Sequence, residues 1–198
     1  MRILLAIVCA FSLSAAAAAA QPLRDGDLVF QTSRSGQSLA IQRATHSRWS
    51  HMGIIVMRDD QPQVFEAIAT VRYTPLAQWA ARGDGGRYTV RRLKHAPTPS
   101  QAAQLRAAAG RYAGRPYDLY FEWSDERIYC SELVWKMYRD ALGIEIGGRQ
   151  KLRDFDLSDR LVKAKMRERY GSHVPLDEPV ISPAAMYDSP LLETIEPR

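Results

Sequence analysis

Three side chains in this sequence of 198 residues have the chemistry needed to attack a carbonyl group. Cys130 supplies a sulfur nucleophile, His51 a base that titrates near neutral pH, and Glu66 a carboxylate able to orient an imidazole ring. In contact, the three would take up an acyl group as a thioester and then release it to water. The sequence therefore predicts a cysteine hydrolase acting on an amide or ester, on condition that the fold brings these residues together.

Cys130 lies in Tyr129-Cys130-Ser131-Glu132, where an amphipathic helix is predicted to begin; Gly143 ends that helix. The free N–H groups and the dipole at a helix start stabilise a thiolate, and the same amides help to bind an oxyanion. The alternative is a buried, inert cysteine at a helix start. Its position favours a reactive thiol.

His51 stands at the head of a predicted strand, Met52–Met57. A histidine at a strand end can face a cleft while the strand behind it is fixed in the core, which suits a general base. His46, His95 and His173 lack such a strand beneath them. The alternative for His51 is an exposed residue at a strand end.

Glu66 lies within an apolar strand, Val64–Ile68, that returns after a turn at Asp59-Asp60. A carboxylate there either points to solvent, since strands alternate, or needs a buried partner. One hairpin register, with Met57 opposite Pro62, provides that partner.

In this register Glu66 faces Gly53, and His51 and Glu66 become diagonal neighbours on one face, about 7 Å apart at the backbone. Gly53 has no side chain to separate them. A slip of one residue would put His51 and Glu66 on opposite faces. The predicted triad therefore depends on a four-residue connection, Arg58–Gln61.

The elements that must position these residues are strands with one early helix, followed by helices. This order predicts an α+β domain with a small antiparallel sheet packed against helices. From about residue 174 the spacing of prolines predicts an extended tail on the surface. The strands are predicted at 27–31, 52–57, 64–68 and 88–93, and the helices at 37–45, 75–81, 99–113, 130–142 and 157–169.

Residues 1–20 have the pattern of a secretory signal peptide: Arg2, an apolar segment, and an alanine run ending at Ala20. The alternative is a membrane anchor. Cleavage would leave residues 21–198 as a single periplasmic domain that does not span a membrane, with Cys130 as its one cysteine. It would carry 26 Lys and Arg against 22 Asp and Glu, a net charge of +4. Acidic and basic residues are interleaved along the chain, and no basic run exceeds three residues. This pattern argues against a nucleic-acid partner.

Neither a metal nor another cofactor is predicted. His46 and His51 do not have a recognised ligand spacing, and one cysteine cannot build a closed zinc site. The glycine-rich segment 83–86 lacks G-K-[ST] and precedes a strand, so it indicates a turn and not a phosphate-binding loop.

Several longer stretches of this sequence resemble one family, the YiiX-like permuted papain-like proteins of the NlpC/P60 superfamily. They are GDLVFQTSRSGQSLAIQRATHS, SHMGIIV, VFEA, YTPLAQW, GRPYDLYFEWSDERIYCSELVWK and KLRDFDLS. The resemblance covers residues 26 to about 183. The order of the motifs, with the histidine strand ahead of the cysteine helix, is that of a circular permutation.

The resemblance implies a papain-like α+β fold with the cysteine helix packed on a small, barrel-like sheet. It also implies the triad Cys130, His51 and Glu66, with Tyr117 lining the substrate side of the cleft and Asp118 beside it. The resemblance does not identify the substrate, which could be a peptidoglycan peptide, an acylated amino acid or a lipid. Two alternative functions remain, a lipid acyltransferase and a papain-like module that binds a lipid or peptide without turnover. The resemblance does not give the oligomeric state either.

Overall fold

The computed structural model of this chain describes residues 21–197. The predicted signal peptide, residues 1–20, lies outside the described residues. Within the described part, no helix combines the length and the apolar character needed to cross a bilayer.

A six-stranded antiparallel sheet forms the centre of the fold, and its strand order is β4-β3-β2-β1-β5-β8. A separate two-stranded sheet pairs β6 with β7. The strands are β1 (Leu28–Gln31), β2 (His51–Arg58), β3 (Gln61–Ala67), β4 (Val71–Pro75), β5 (Thr89–Leu93), β6 (Gln150–Lys151), β7 (Pro179–Val180) and β8 (Leu192–Pro197).

The central strands are buried on both faces, which explains why their sequences are almost continuously apolar. On β1, Leu28 and Phe30 join the main core, whereas Val29 joins a smaller cluster on the opposite face that contains Trp79. All three side chains are fully buried. The sheet is therefore packed on both faces. The backbone of β2, which begins at His51, is fixed by this packing.

Helices cover both faces of this sheet. They are α1 (Ser38–Thr45), α2 (Leu76–Ala81), α3 (Pro99–Tyr112), α4 (Cys130–Leu142), α5 (Arg160–Tyr170) and α6 (Pro183–Tyr187). Helix α4 packs on α3 and on strands β2 and β3, while Trp79 of α2 belongs to the cluster on the other face. Helices α1 and α5 pack against each other.

Two sequence predictions about these elements are wrong. The Thr74-Pro75 pair, interpreted as a helix start, ends strand β4, and α2 begins one residue later at Leu76. The predicted extended surface tail is a folded part of the domain: β8 pairs with β5, and Ile181 and Met186 are buried in the core.

Candidate active site

The hairpin of β2 and β3 has the register in which His51 and Glu66 share a face. Met57 pairs with Pro62 and Ile54 with Phe65, so that Gly53 lies opposite Glu66. The ladder extends to Arg58 and Gln61, which shortens the connection from four residues to the two of Asp59-Asp60. Both turn residues have positive φ, at 49° and 55°, as expected for a type I′ turn that matches strand twist.

This register brings the imidazole and the carboxylate into contact. His51 Nε2 lies 2.7 Å from Glu66 Oε2. A Cβ at Gly53 would lie 3.4 Å from Glu66 Cβ and 2.4 Å from a methyl group of Val64. Glycine is therefore the residue that fits between the two strands here.

Glu66 is fully buried, and each of its oxygens has a partner. Thr74 Oγ1 donates to Oε1 at 2.6 Å, and Arg82 Nη2 donates to the same oxygen at 2.5 Å. Burial alone raises the pKa of Glu66, but His51, Arg82 and Thr74 outweigh it and lower the pKa to about 2. Glu66 is therefore ionised at neutral pH, with its orientation fixed from both sides.

Cys130 is the first residue of α4, and it lies near enough to the His51 ring to raise the pKa of His51 by hydrogen bonding and by charge. Because Nε2 of His51 faces Glu66, Nδ1 is the ring nitrogen left for Cys130. Burial alone lowers the pKa of His51, but the hydrogen bonds and charges of Cys130 and Glu66 raise it to about 9. The structure thus joins the three predicted residues, Cys130, His51 and Glu66, in one line of contacts.

The start of α4 is held by the segment before α6. Ser131 Oγ donates to the Ile181 carbonyl at 2.8 Å, and the Ile181 N–H donates to Tyr129 Oη at 3.0 Å. All three residues are buried. The first N–H groups of a helix have no partner within it, so a fixed helix start presents amides next to Cys130.

Tyr117 and Asp118 are adjacent in sequence but differ in position. The Tyr117 hydroxyl accepts a hydrogen bond of 2.7 Å from Gln37 Nε2, and burial and the nearby Cys130 raise the pKa of Tyr117. Asp118 is fully buried, and its Oδ1 accepts from the Tyr120 N–H at 2.8 Å. Tyr117 belongs to the site, whereas the position of Asp118 suits the shaping of a loop better than substrate contact.

Two cavities meet at this site. The first, of about 70 Å³, is bordered by Cys130, and its wall is almost entirely apolar. The second, of about 780 Å³, is bordered by His51 and Tyr117 and is more polar. Gln37, Lys165 and Arg169 border both cavities and mark their junction.

Sequence reasoning missed four contributors to this site: Thr74, Arg82, Gln37 and Trp79. The Trp79 ring stacks on His51, with centroids 6.1 Å apart and planes 30° apart. A buried carboxylate with one histidine partner is a signal that further donors are needed, but nothing in the sequence spacing shows which ones.

Comparison with known proteins gives consistent matches over the same region. A family model described as "Permuted papain-like amidase enzyme, YaeF/YiiX, C92 family" matches residues 22–196. An uncharacterized protein, YiiX of Escherichia coli K12, is 50% identical over 189 residues, covering 96% of this chain and 93% of that protein.

A solved structure is also similar. It is described as metalloprotein yiiX from Escherichia coli O157:H7, has 53% sequence identity and superposes with a TM-score of 0.87. The match covers 88% of this chain and 97% of that chain. These matches confirm the α+β, permuted papain-like fold, and this chain belongs to the permuted papain-like amidase family YaeF/YiiX.

Proposed function

We propose that this protein is a cysteine hydrolase that cleaves an amide or ester through an acyl-enzyme, with Cys130 as nucleophile, His51 as acid and base, and Glu66 as the group that orients His51. The observation that carries the proposal is the position of His51 between two partners: it contacts Glu66 at 2.7 Å, and the neighbouring Cys130 at the start of α4 raises its pKa. Membership of an amidase family supports the same chemistry.

In the first half-reaction the Cys130 sulfur attacks the carbonyl carbon, and the carbonyl oxygen becomes an oxyanion. The amides at the start of α4 and the Tyr117 hydroxyl, whose proton is not used by Gln37, are the donors placed near it. His51 then gives its proton to the departing amine or alcohol, and the C–N or C–O bond breaks. The product is a thioester on Cys130.

In the second half-reaction His51 removes a proton from water, whose oxygen attacks the thioester. The C–S bond breaks, the carboxylic acid leaves, and the proton on His51 restores the starting state. A pKa of about 9 keeps His51 protonated at neutral pH before the first step, which suits a proton donor to the leaving group. Glu66 stabilises that imidazolium in both halves.

The cavity beside Cys130 favours an apolar acyl group. Its volume is about 70 Å³, against about 780 Å³ for the second cavity. Phe121, Met166 and Ile181 contribute to its wall. A short apolar acyl group would fit there, and a longer chain would require side chains to move.

The same observation supports a second candidate, acyl transfer, in which an amine or alcohol replaces water in the second half-reaction. Both reactions share the thioester on Cys130, and they differ only in the acceptor. A binding module without turnover is less well supported, because the three triad groups are all present and in contact.

The proposal is tested with fluorogenic umbelliferyl esters of increasing acyl length. We expect Cys130→Ala to abolish turnover and His51→Ala to lower it by about 10²-fold or more. The matched control is His173→Ala, since His173 is exposed and away from the site. Full activity in Cys130→Ala would overturn the proposal.

Mass spectrometry separates hydrolysis from transfer. After mixing with a short acyl thioester, the wild-type protein should carry one acyl group on Cys130. An added amine acceptor then yields free acid if water is preferred, or the acyl amide if the enzyme is a transferase. A protein that binds these donors without ever being acylated would support the binding module.

The similar solved structure is described as a metalloprotein. Between residues 21 and 197, no group of three His, Cys, Asp or Glu side chains lies close enough together to hold a metal ion. Catalytic zinc sites use three protein ligands and structural zinc sites use four.

The proposal includes export to the periplasm, on the basis of the signal-like residues 1–20. Fractionation of expressing cells and N-terminal sequencing of the mature protein test this part. The expected result is a periplasmic protein that begins at Gln21. A cytoplasmic protein that keeps residues 1–20 would contradict it.

A further inference from the structure

The larger cavity is strongly basic. Four cationic side chains border it, Arg34, Arg82, Lys165 and Arg169, against a single carboxylate, that of Glu168. His51 also borders it, but His51 is paired with Glu66 at 2.7 Å and adds no unpaired charge. This excess contrasts with the mixed charges along the sequence as a whole.

Two of these four cations are already paired with acids. Arg82 donates to Glu66 at 2.5 Å, and Lys165 Nζ lies 2.6 Å from Glu168 Oε2. The nearby Lys165 and Arg169 both lower the pKa of Glu168, which has only one negative charge to offer them.

The other two cations, Arg34 and Arg169, have neutral hydrogen-bond partners. Arg34 Nη2 donates to the Ala81 carbonyl at 2.7 Å, and Arg169 Nη2 donates to Gln37 Oε1 at 2.6 Å. Within residues 21–197, neither guanidinium forms a salt bridge with a carboxylate. A guanidinium offers five donors, so each retains several for a planar or tetrahedral oxyanion.

The positions of Cys130 and His51 indicate which part of the substrate lies in the larger cavity. Cys130 borders the small apolar cavity, and His51 borders the large basic one. The acyl part of a substrate stays with the sulfur, whereas the leaving group must lie beside the histidine that protonates it. The leaving group therefore enters the basic cavity, and Arg169 borders both cavities, as do Gln37 and Lys165.

We propose that the basic cavity selects substrates whose leaving group carries an oxyanion, a carboxylate or a phosphate, and that Arg169 and Arg34 recognise it. This inference rests on the proposed function and narrows its substrate class to apolar acyl groups joined to an anionic amine or alcohol. Arg169, half-buried at the junction, contributes more than Arg34, which is exposed.

The test uses ester pairs that share one acyl group, chosen as the best one in the umbelliferyl series. One pair is the acyl ester of glycolate and that of glycolamide; the other is the acyl ester of hydroxyethyl phosphate and that of ethylene glycol. Each pair differs in the anion. The first pair measures carboxylate preference and the second phosphate preference, so the two sources of the anion are separated.

The readout is the ratio of kcat/KM between the charged and neutral members of a pair. We expect the wild-type enzyme to prefer at least one charged member, and Arg169→Gln to reduce that ratio by about tenfold. Arg34→Gln should reduce it by about two- to fivefold, as for an exposed charge. The matched control is Arg160→Gln, an exposed arginine at the start of the same helix as Arg169, which should leave the ratio unchanged.

The ratio also separates recognition from support of the fold. Arg169 contacts Gln37, which holds Tyr117, so a purely structural role would lower turnover of both members equally and leave the ratio intact. That result, or a wild-type ratio no greater than one in both pairs, would overturn the inference while turnover of the neutral esters upholds the proposed function. Failure to turn over any ester would remove the proposed function itself.

Alkylation of Cys130 gives a second measurement that does not require turnover. Iodoacetate and iodoacetamide differ by one negative charge. Relative to free cysteine, Cys130 should favour iodoacetate, and this preference should fall in Arg169→Gln and at high salt. An unaltered preference in Arg169→Gln would count against an anion site even if no ester were hydrolysed.

Discussion

Replacing Glu66 with glutamine removes the charge at the centre of the site while keeping its shape. The carboxylate is fully buried and accepts from His51, Thr74 and Arg82. Glutamine can accept at its oxygen, but its NH₂ group would face a donor. The variant therefore leaves the His51 and Arg82 charges without their common partner.

The size of the effect follows from the pKa of Glu66. A fall from 4.5 to about 2 corresponds to roughly 3 kcal/mol of preference for the ionised carboxylate in the folded state. Because the pKa is lowered on folding, this stabilisation is fully present above about pH 4.5 and is lost as the pH falls through about 2. The difference in free energy of unfolding between wild type and Glu66→Gln should therefore be largest at neutral pH and shrink across that range.

Urea denaturation of both proteins from neutral to acidic pH measures this difference. The matched control is Glu168→Gln, which removes an exposed carboxylate paired with Lys165 and should hardly change the free energy of unfolding. A difference for Glu66→Gln below about 1 kcal/mol at neutral pH, or one that does not change with pH, would refute the assigned role of the buried charge.

Three further results are expected. Gly53→Ala should lower the free energy of unfolding by about 1–3 kcal/mol, because its Cβ would lie 2.4 Å from a methyl group of Val64. Gly36 has open space around it, so Gly36→Ala should leave the free energy of unfolding unchanged. Equal urea midpoints for the two variants would contradict this prediction. The kcat/KM for a neutral ester should fall as the pH rises through about 9, where His51 loses the proton it donates, and activity that continues to rise there would argue against that role. In Cys130→Ala the NMR-measured pKa of His51 should drop below about 9, and an unchanged value would mean that the two residues do not interact.

The half of the site that lies on one hairpin could be predicted from the sequence. Two apolar segments separated by Asp59-Asp60 predict a hairpin, and the register sets which face each side chain takes. The absence of a side chain at Gly53 indicated where His51 and Glu66 could meet. The structure confirms this register and shortens the turn.

The other half could not be derived from local patterns. Seventy-nine positions separate Cys130 from His51 along the chain, and their contact depends on how α4 packs on β2 and β3. Only the family resemblance predicted it, because spacing in sequence carries no information about this packing. The hydrogen bond from Arg82 to Glu66 could not be predicted for a similar reason, because it depends on where α2 ends.

The C-terminal region shows how a local pattern can mislead. In β8 the pairing with β5 shifts between Val90 and Arg91, so Ile195 is passed over and strict alternation is lost. Pro183, interpreted as part of an extended tail, takes the first position of α6, where Ser182 caps the helix by accepting from the Ala185 N–H at 3.0 Å. Prolines predicted a coil where one of them begins a helix.

The arrangement of these parts explains how the chemistry tolerates a permuted chain. His51, Glu66 and the donors that hold Glu66 all lie between residues 51 and 82, in one antiparallel unit whose geometry is set by neighbouring strands. Cys130 is brought to that unit by packing of α4, and the start of α4 is fixed by hydrogen bonds to Ile181. The contact between α4 and the strands that carry His51 and Glu66 is noncovalent. It depends on the surfaces that pack together and not on which of the two parts comes first in the chain. A triad built in this way keeps its contacts whether the histidine hairpin precedes the cysteine helix or follows it.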